Sequence, residues 1–373
     1  MIATAKRSEY PIEALAVRAF RVPTKDPVES DGTLEWSSTT MVYVELQAGG
    51  ETGIGYTYGD ASAARMIDGL LKDALLGGDA LETAARWNDM RSSVRNNGRH
   101  GISMMAISAV DIALWDVKGK LTQTPVSVML GAARDRIPIY GSGGFTSYNI
   151  PELREQLSGW VRNENIPRVK MKVGRDPGAD PERVAAARKT IGPNAELFVD
   201  ANGAYSVKRA IEMAAYFAEE GVSWYEEPVD HDDLHGNRFV RDNTPPRMEV
   251  SNGEYGYTLQ DFENIIDSGA ADVLQADVTR CGGFTGLLAV DALCQARHIP
   301  LSTHCAPYVT LPGAAACKML RHIEYFYDHV RIERMFFDGV REPVEGDLHV
   351  EFERPGIGLE LKRRDAERYA VGV

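Results

Sequence analysis

Two hydrophobic textures divide the chain, and they change near Arg136. Before it, Ala14 to Arg21 alternates with the two-residue rhythm of a strand. Thr40 to Leu46 (Thr-Met-Val-Tyr-Val-Glu-Leu) is rich in β-branched and aromatic residues, and Gly49-Gly50 follows as a turn. The polar, turn-rich segment from Pro23 to Glu35 reads as a loop. From Ala61 to about Leu130 the rhythm is helical. Ile107, Val110, Ala113, Leu114 and Val117 fall at three- and four-residue steps and form one apolar stripe. A small α+β domain is expected over residues 1–135.

After Arg136, short apolar runs alternate with amphipathic stretches. The runs are Ile137–Ser142, Arg168–Val173, Leu197–Asp200, Ser223–Glu226, Met248–Ser251, Asp272–Gln275, Ile299–Thr303 and His322–Phe326. Helical patterns lie between them, as at Pro181–Ile191, Ser206–Glu220, Thr258–Asp267 and Phe284–Arg297. Strands alternating with helices predict a parallel α/β barrel over residues 136–329. A doubly wound open sheet fits less well, because the repeat is near-regular and no GxGxxG fingerprint occurs. Residues 330–373 carry strand-like pieces at Leu348–Phe352 and Gly358–Leu361, with no room for a ninth barrel unit. This tail is expected to return to the N-terminal domain.

Composition narrows the function. With 44% hydrophobic and 25% charged residues, the chain has the make-up of a soluble globular protein. A net charge of −13 argues against nucleic acid or an anionic membrane as partner. A local cluster of lysines and metal could still take a small anionic substrate. Cys281, Cys294, Cys305 and Cys317 show neither CxxC pairing nor zinc spacing, and read as reduced thiols. The first ten residues lack the apolar core of a signal peptide, and no run approaches the length of a membrane span. A cytoplasmic enzyme is expected.

In a parallel barrel, chemistry sits at the C-terminal strand ends. Strand two ends in Lys170-Met171-Lys172, strand three in Asp200 and strand four in Glu226-Glu227-Pro228. Strand five runs into Gly253-Glu254, strand six leads to Asp277, strand seven to His304, and strand eight carries Glu324. Asp200, Glu226 and Glu254 recur about every 27 residues, close to the length of one βα unit. Carboxylates converging alone would repel one another, and a hard dication with oxygen ligands, Mg²⁺, removes that cost. Lys170 and Lys172 are two apart on a strand and share a face. Like charge and desolvation should lower a lysine pKa there and free an amine base. Asp277 and His304 end adjacent strands, so the carboxylate can orient the imidazole as an acid or second base.

Blander readings compete. A Lys-x-Lys pair is usually a solvated edge, Asp277 can cap a turn, and His304 can be a hydrogen-bonded core residue. His231-Asp232-Asp233-Leu234-His235 lacks the glutamate of HExxH and reads as a polar loop. Arg91, Arg95, Arg99 and His100 read as a solvated loop or subunit contact.

As a set, these residues resemble the enolase superfamily, specifically its mandelate racemase subgroup. The resemblance spans nearly the whole chain, including the late Pro355-Gly356-Ile357-Gly358. It implies a (β/α)₇β modified TIM barrel capped by the N-terminal segment and the C-terminal tail. By resemblance, Asp200, Glu226 (the first Glu of its pair) and Glu254 are the Mg²⁺ ligands. Lys172 is the general base, and Lys170 lowers its pKa and contacts the substrate carboxylate. His304 is the second acid/base and Asp277 its partner. Glu324 hydrogen-bonds the carboxylate and its enediolate, and Asn202 is a further substrate contact. The shared step is removal of the proton α to a carboxylate.

The resulting expectation is a Mg²⁺-dependent acid-sugar dehydratase, a lyase making a 2-keto-3-deoxy acid from an aldonate or aldarate in carbohydrate catabolism. A racemase or epimerase with the same Lys/His pair is the alternative. A catalytically silent sugar-acid-binding protein is a third reading. A homo-oligomer, dimer to octamer, is expected. The cap loop from Val22 to Ser38, on which specificity in the family depends, names no substrate.

Overall fold

The computed structural model describes residues 10–25 and 28–372. The first nine residues, on which the reading of the leader rests, lie outside them.

The N-terminal part is an antiparallel sheet backed by helices. Its sheet is built on β1 (Ile12–Pro23), β4 (Ser38–Ala48) and β5 (Glu51–Tyr58), and the two-residue strands β2 (Glu29–Ser30) and β3 (Glu35–Trp36) pair separately. The segment expected to be a plain loop thus holds a small hairpin, β2 against β3. Strand β5 is an addition to the expected elements. Its Gly53 and Gly55 break the strand signal, and both are there for packing. A β-carbon at Gly55 would meet the carbonyl of Ala109 and come within 2.7 Å of the Ala113 nitrogen.

Helices follow: α1 (Ser62–Met66), continued by a π turn into α2 (Lys72–Leu75), then α3 (Thr83–Ser93), α4 (Ile102–Leu121) and α5 (Val126–Met129). The expected stripe from Ile107 to Val117 is fully buried on α4, which lies between the sheet and the barrel.

The barrel begins with β6 (Arg136–Gly143). It continues through α6 (Ile150–Arg162), β7 (Arg168–Lys172), α7 (Asp180–Ile191), β8 (Glu196–Asp200), α8 (Val207–Glu219), β9 (Val222–Glu226) and α9 (Leu234–Asn243). Then come β10 (Glu249–Asn252), α10 (Leu259–Ser268), β11 (Val273–Ala276), α11 (Gly283–Arg297), β12 (Leu301–Thr303), α12 (Pro307–Ala316) and β13 (Leu320–Phe326). All eight strands are parallel, and β13 pairs with β6 to close the ring. Helix starts follow local chemistry. Asn149 and Glu152 form a capping box on α6, Ser206 caps α8 and Asp233 caps α9.

Aromatic rings plug the lower barrel. Tyr140, Phe198, Trp224 and His322 pack with centroids 4.9 to 6.4 Å apart. Burial, reinforced by Arg321 and Arg168, pushes His322 down to about 3, so this floor adds no charge beneath the mouth.

After the barrel come α13 (Tyr327–Phe336), β14 (Phe337–Asp338), β15 (Asp347–His349), β16 (Glu360–Leu361), α14 (Arg363–Ala366) and β17 (Ala370–Val371). Helix α13 packs Phe336 edge-on to Phe20 and accepts the Tyr56 hydroxyl on Glu333 at 2.9 Å. Strand β17 joins β1 in the N-terminal sheet. Strand β15 instead pairs antiparallel with β6, so the tail laces both parts together.

Candidate active site

Strand register builds the mouth. Lys172 on β7, Asp200 on β8 and Glu226 on β9 are successive cross-strand partners, so their side chains form one layer. The layer's partner on β10 is Ser251, not an acid. Glu254 reaches the site three residues later, past Gly253. That glycine has φ +128, and a β-carbon there would come 2.5 Å from the Gln275 carbonyl. Together Asp200, Glu226 and Glu254 present oxygens within 4.8 Å of one another, all buried. Glu227, also buried, sits outside this trio at positive φ with one oxygen unpartnered.

The two lysines face these acids. Lys172 Nζ donates to Asp200 at 2.5 Å. Lys170 Nζ donates to Glu226, lies 2.8 Å from Glu324 and 3.4 Å from Asp200, and sits 5.3 Å from the Tyr140 ring centroid. Burial disfavours both ammonium groups. The surrounding carboxylates more than offset it, and both lysines are held above the ordinary lysine value. For the protein groups alone this is opposite to the lowering expected from sequence, which placed the lysines beside a dication as well as beside each other. Asp200 responds in kind: burial would raise it, but Lys172 and Lys170 hold it at about 2. Glu226 goes the other way, pushed well up by burial and by the charge of Asp200.

Across the mouth, His304 follows β12 and its Nδ1 lies 2.8 Å from Asp277 Oδ2. Asp277 also accepts from the Thr279 amide and hydroxyl, both at 2.7 Å. Burial works against its charge, but the His304 contact and Arg280 keep it below the ordinary carboxylate range. Ionised, it accepts the Nδ1–H and leaves Nε2 to face the mouth. Nε2 lies 3.4 Å from Glu254 and 3.8 Å from Glu324. Glu324 accepts from Ser142 at 2.6 Å and from the Cys305 amide at 2.8 Å. Burial would raise it, but Lys170 and His304 hold it well below the ordinary value. Asn202 stands at the rim; its amide donates to Asp200 at 2.9 Å, and its side-chain oxygen is buried without a partner. The nine residues singled out from sequence therefore converge on one mouth.

Two neighbours carried no usable sequence signal. Arg280 reaches from the loop after β11 toward Asp277 (3.6 Å) and Glu254 (3.9 Å), and lies over the Tyr255 ring. Cys305 and Ala306 adopt positive φ, 50° and 43°, which turns the Cys305 thiol to 3.2 Å from His304 Nε2.

The cap loop roofs this site. Thr146, after β6, donates its amide to the Ser30 carbonyl at 2.8 Å, and Trp36 packs edge-on to Phe145. Gly32 lies against the backbone of Val173 and Ala201, leaving no space for a β-carbon. Other sequence candidates fall elsewhere. His231 stacks loosely on Tyr255 at 4.5 Å in an exposed loop, and Arg91, Arg99 and His100 line a cavity of about 690 Å³ between α3 and α11.

A closed parallel barrel with acids, paired lysines and an Asp–His dyad at its C-terminal mouth, under an α+β cap, defines the class. Comparison with known proteins names the family. Residues 14–131 match the mandelate racemase / muconate lactonizing enzyme N-terminal domain, and residues 152–366 match the enolase C-terminal domain-like family. The chain belongs to the mandelate racemase/muconate lactonizing enzyme family of the enolase superfamily.

Three relatives place it further. A mandelate racemase/muconate lactonizing enzyme-like protein of Rubrobacter xylanophilus is 51% identical over 97% of this chain and 100% of its own, with a TM-score of 0.94. The 3,6-anhydro-alpha-L-galactonate cycloisomerase of Streptomyces coelicolor is 33% identical over 97% of this chain and all of its own. The L-talarate/galactarate dehydratase of Salmonella typhimurium is 29% identical over 97% of this chain and 90% of its own. Its structure liganded with Mg and L-lyxarohydroxamate superposes with a TM-score of 0.88, at 25% identity over 100% of this chain and 97% of that one. Among the described residues, no helix is long and apolar enough to cross a membrane.

Proposed function

We propose that this chain dehydrates a sugar acid, an aldonate or aldarate, to a 2-keto-3-deoxy acid with Mg²⁺. The observation that carries the reading is the placement of Lys172 and His304 on either side of the three-carboxylate cluster. The cluster suits the cation: its donors are all oxygen, and Glu254 Oε2 is buried with no hydrogen-bond partner. Asp200, Glu226 and Glu254 would hold it. When bound, Mg²⁺ supplies a Lewis acid for the substrate carboxylate and takes up the acid charge that otherwise keeps protons on the two lysines.

The chain's own groups then divide the work. Lys172, as neutral amine, takes the α-proton; the C–H electron pair moves into the α-carbon to carboxyl-carbon bond. Lys170 donates to the carboxylate oxygens from the other side, and Glu324, ionised beside Lys170 and His304, would have to take up a proton before it could donate to them. His304, protonated at Nε2 and oriented by Asp277, gives that proton to the β-hydroxyl, which leaves as water while the α–β double bond forms. The enol so made tautomerises to the keto acid. The cap loop over β7 and β8 excludes water and reads the rest of the substrate.

The cycloisomerase relative favours a second reading with the same electron flow. The departing β-oxygen would then be a ring oxygen, and the product would be an isomer rather than a dehydrated acid. Cytoplasmic location is supported by four buried, free cysteines. A homo-oligomer is supported by the family resemblance and is read by sedimentation.

The test is turnover of an aldonate, aldarate and anhydro-acid library with Mg²⁺ in D₂O. A 2-keto-3-deoxy product is expected. Ring-opened isomer would select the second reading, and inverted configuration with deuterium at the α-carbon would select a racemase or epimerase. Binding without any exchange would leave a silent binding protein.

A further inference from the structure

The mouth holds a second donor set beside the oxygen cluster. His304 Nε2, Cys305 Sγ and a Glu324 oxygen lie within 4.8 Å of one another, and all three residues are buried. Nε2 is 3.2 Å from Sγ and 3.8 Å from Glu324 Oε2. Bonds of roughly 2.0–2.3 Å at a tetrahedral angle put zinc ligands roughly 3.3–3.8 Å apart. The supporting contacts are those of a metal site as well. The second ring nitrogen of His304 is fixed by Asp277, the carboxylate–histidine arrangement that orients metal-ligating imidazoles. Glu324 is in turn held by Ser142 and the Cys305 amide.

We propose that His304, Cys305 and Glu324 form a separate site for a thiophilic divalent cation, Zn²⁺ or Cd²⁺, and that filling it stops turnover. The two sets sort cations by chemistry. Three carboxylates suit a hard ion, whereas imidazole plus thiolate suit a borderline or soft one. On binding, the thiol proton leaves to solvent and the imidazole lone pair goes to the cation. His304 then has no Nε2 position from which to protonate a leaving group. Cation binding stands on geometry alone; the loss of turnover rests on the role proposed above for His304.

The experiment titrates Cd²⁺ into Mg²⁺-saturated protein, reading turnover and the ultraviolet thiolate-to-cadmium charge-transfer band together. One Cd²⁺ per chain is expected, with the band rising as turnover falls. In Cys305→Ser the band should vanish, and half-inhibition, relative to that variant's own rate, should need at least tenfold more Cd²⁺. A band that survives in Cys305→Ser, or inhibition at an unchanged concentration, overturns the site. If that variant does not fold, X-ray absorption of the wild-type Cd²⁺ complex decides: sulfur plus imidazole nitrogen supports the site, and oxygen alone overturns it. A band with sulfur and nitrogen ligation but undiminished turnover leaves the cation site standing. It overturns the inhibition and the role of His304 together.

Discussion

Lys172→Ala is expected to lower turnover by about 10³-fold or more, within the roughly 10²–10⁴-fold that a positioned general base contributes. The reason is placement as much as charge. Lys172 lies at the end of β7, in register with Asp200, its side chain almost fully buried. The other lysine cannot replace it. Lys170 is committed to Glu226 and Glu324 and lies deeper, over Tyr140. Water entering the vacated space would be a far weaker base. The loss should fall on kcat, with KM little changed, because Lys170 and the three acids that would hold the cation remain. Steady-state kinetics on the best substrate from the library checks this. Turnover within tenfold of wild type would remove Lys172 from the base role.

Chelation of the metal is expected to lower activity roughly 10³–10⁴-fold, the equivalent of about 5 kcal/mol of charge stabilisation. Stability should change far less. Without a cation, Asp200 and Glu226 are already paired with Lys172 and Lys170, and Glu254 keeps longer contacts to His304 and Arg280. Glu254 Oε2 is the one left without a hydrogen bond. Stripped protein should therefore keep its fold by circular dichroism and regain activity when Mg²⁺ returns. Retained turnover after exhaustive chelation, with metal content measured, would contradict the ligand assignment. Global unfolding would contradict the lysine pairing.

Much of this site was legible because barrel strands are buried on both faces and read as short apolar runs. The residue ending each run is then placed by topology alone, as Asp200, Glu226, Asp277 and His304 were. Glu254 was harder to place, since it lies beyond its strand and depends on the bend at Gly253. Strand β5 escaped because glycines that serve packing against α4 erase the strand pattern. The lysine pKa direction escaped for a different reason. It depends on which of several charges lies nearest, and spacing along a chain does not order distances of 2.5 and 3.4 Å. Cys305 was invisible as a neighbour of His304 Nε2, because a positive φ at two consecutive non-glycine residues has no sequence signature. The cap loop's contacts with Thr146 and Phe145 belong to the same class.

The central claim is a division of labour in which Lys172 removes the α-proton and His304 expels the β-oxygen. The most direct measurement follows the substrate α-proton by NMR in D₂O with Mg²⁺ for His304→Ala beside Lys172→Ala. The account predicts that His304→Ala replaces the α-proton with deuterium while forming no keto acid, and that Lys172→Ala does neither. Keto acid formed at the wild-type rate by His304→Ala, or α-exchange that persists in Lys172→Ala, would contradict it.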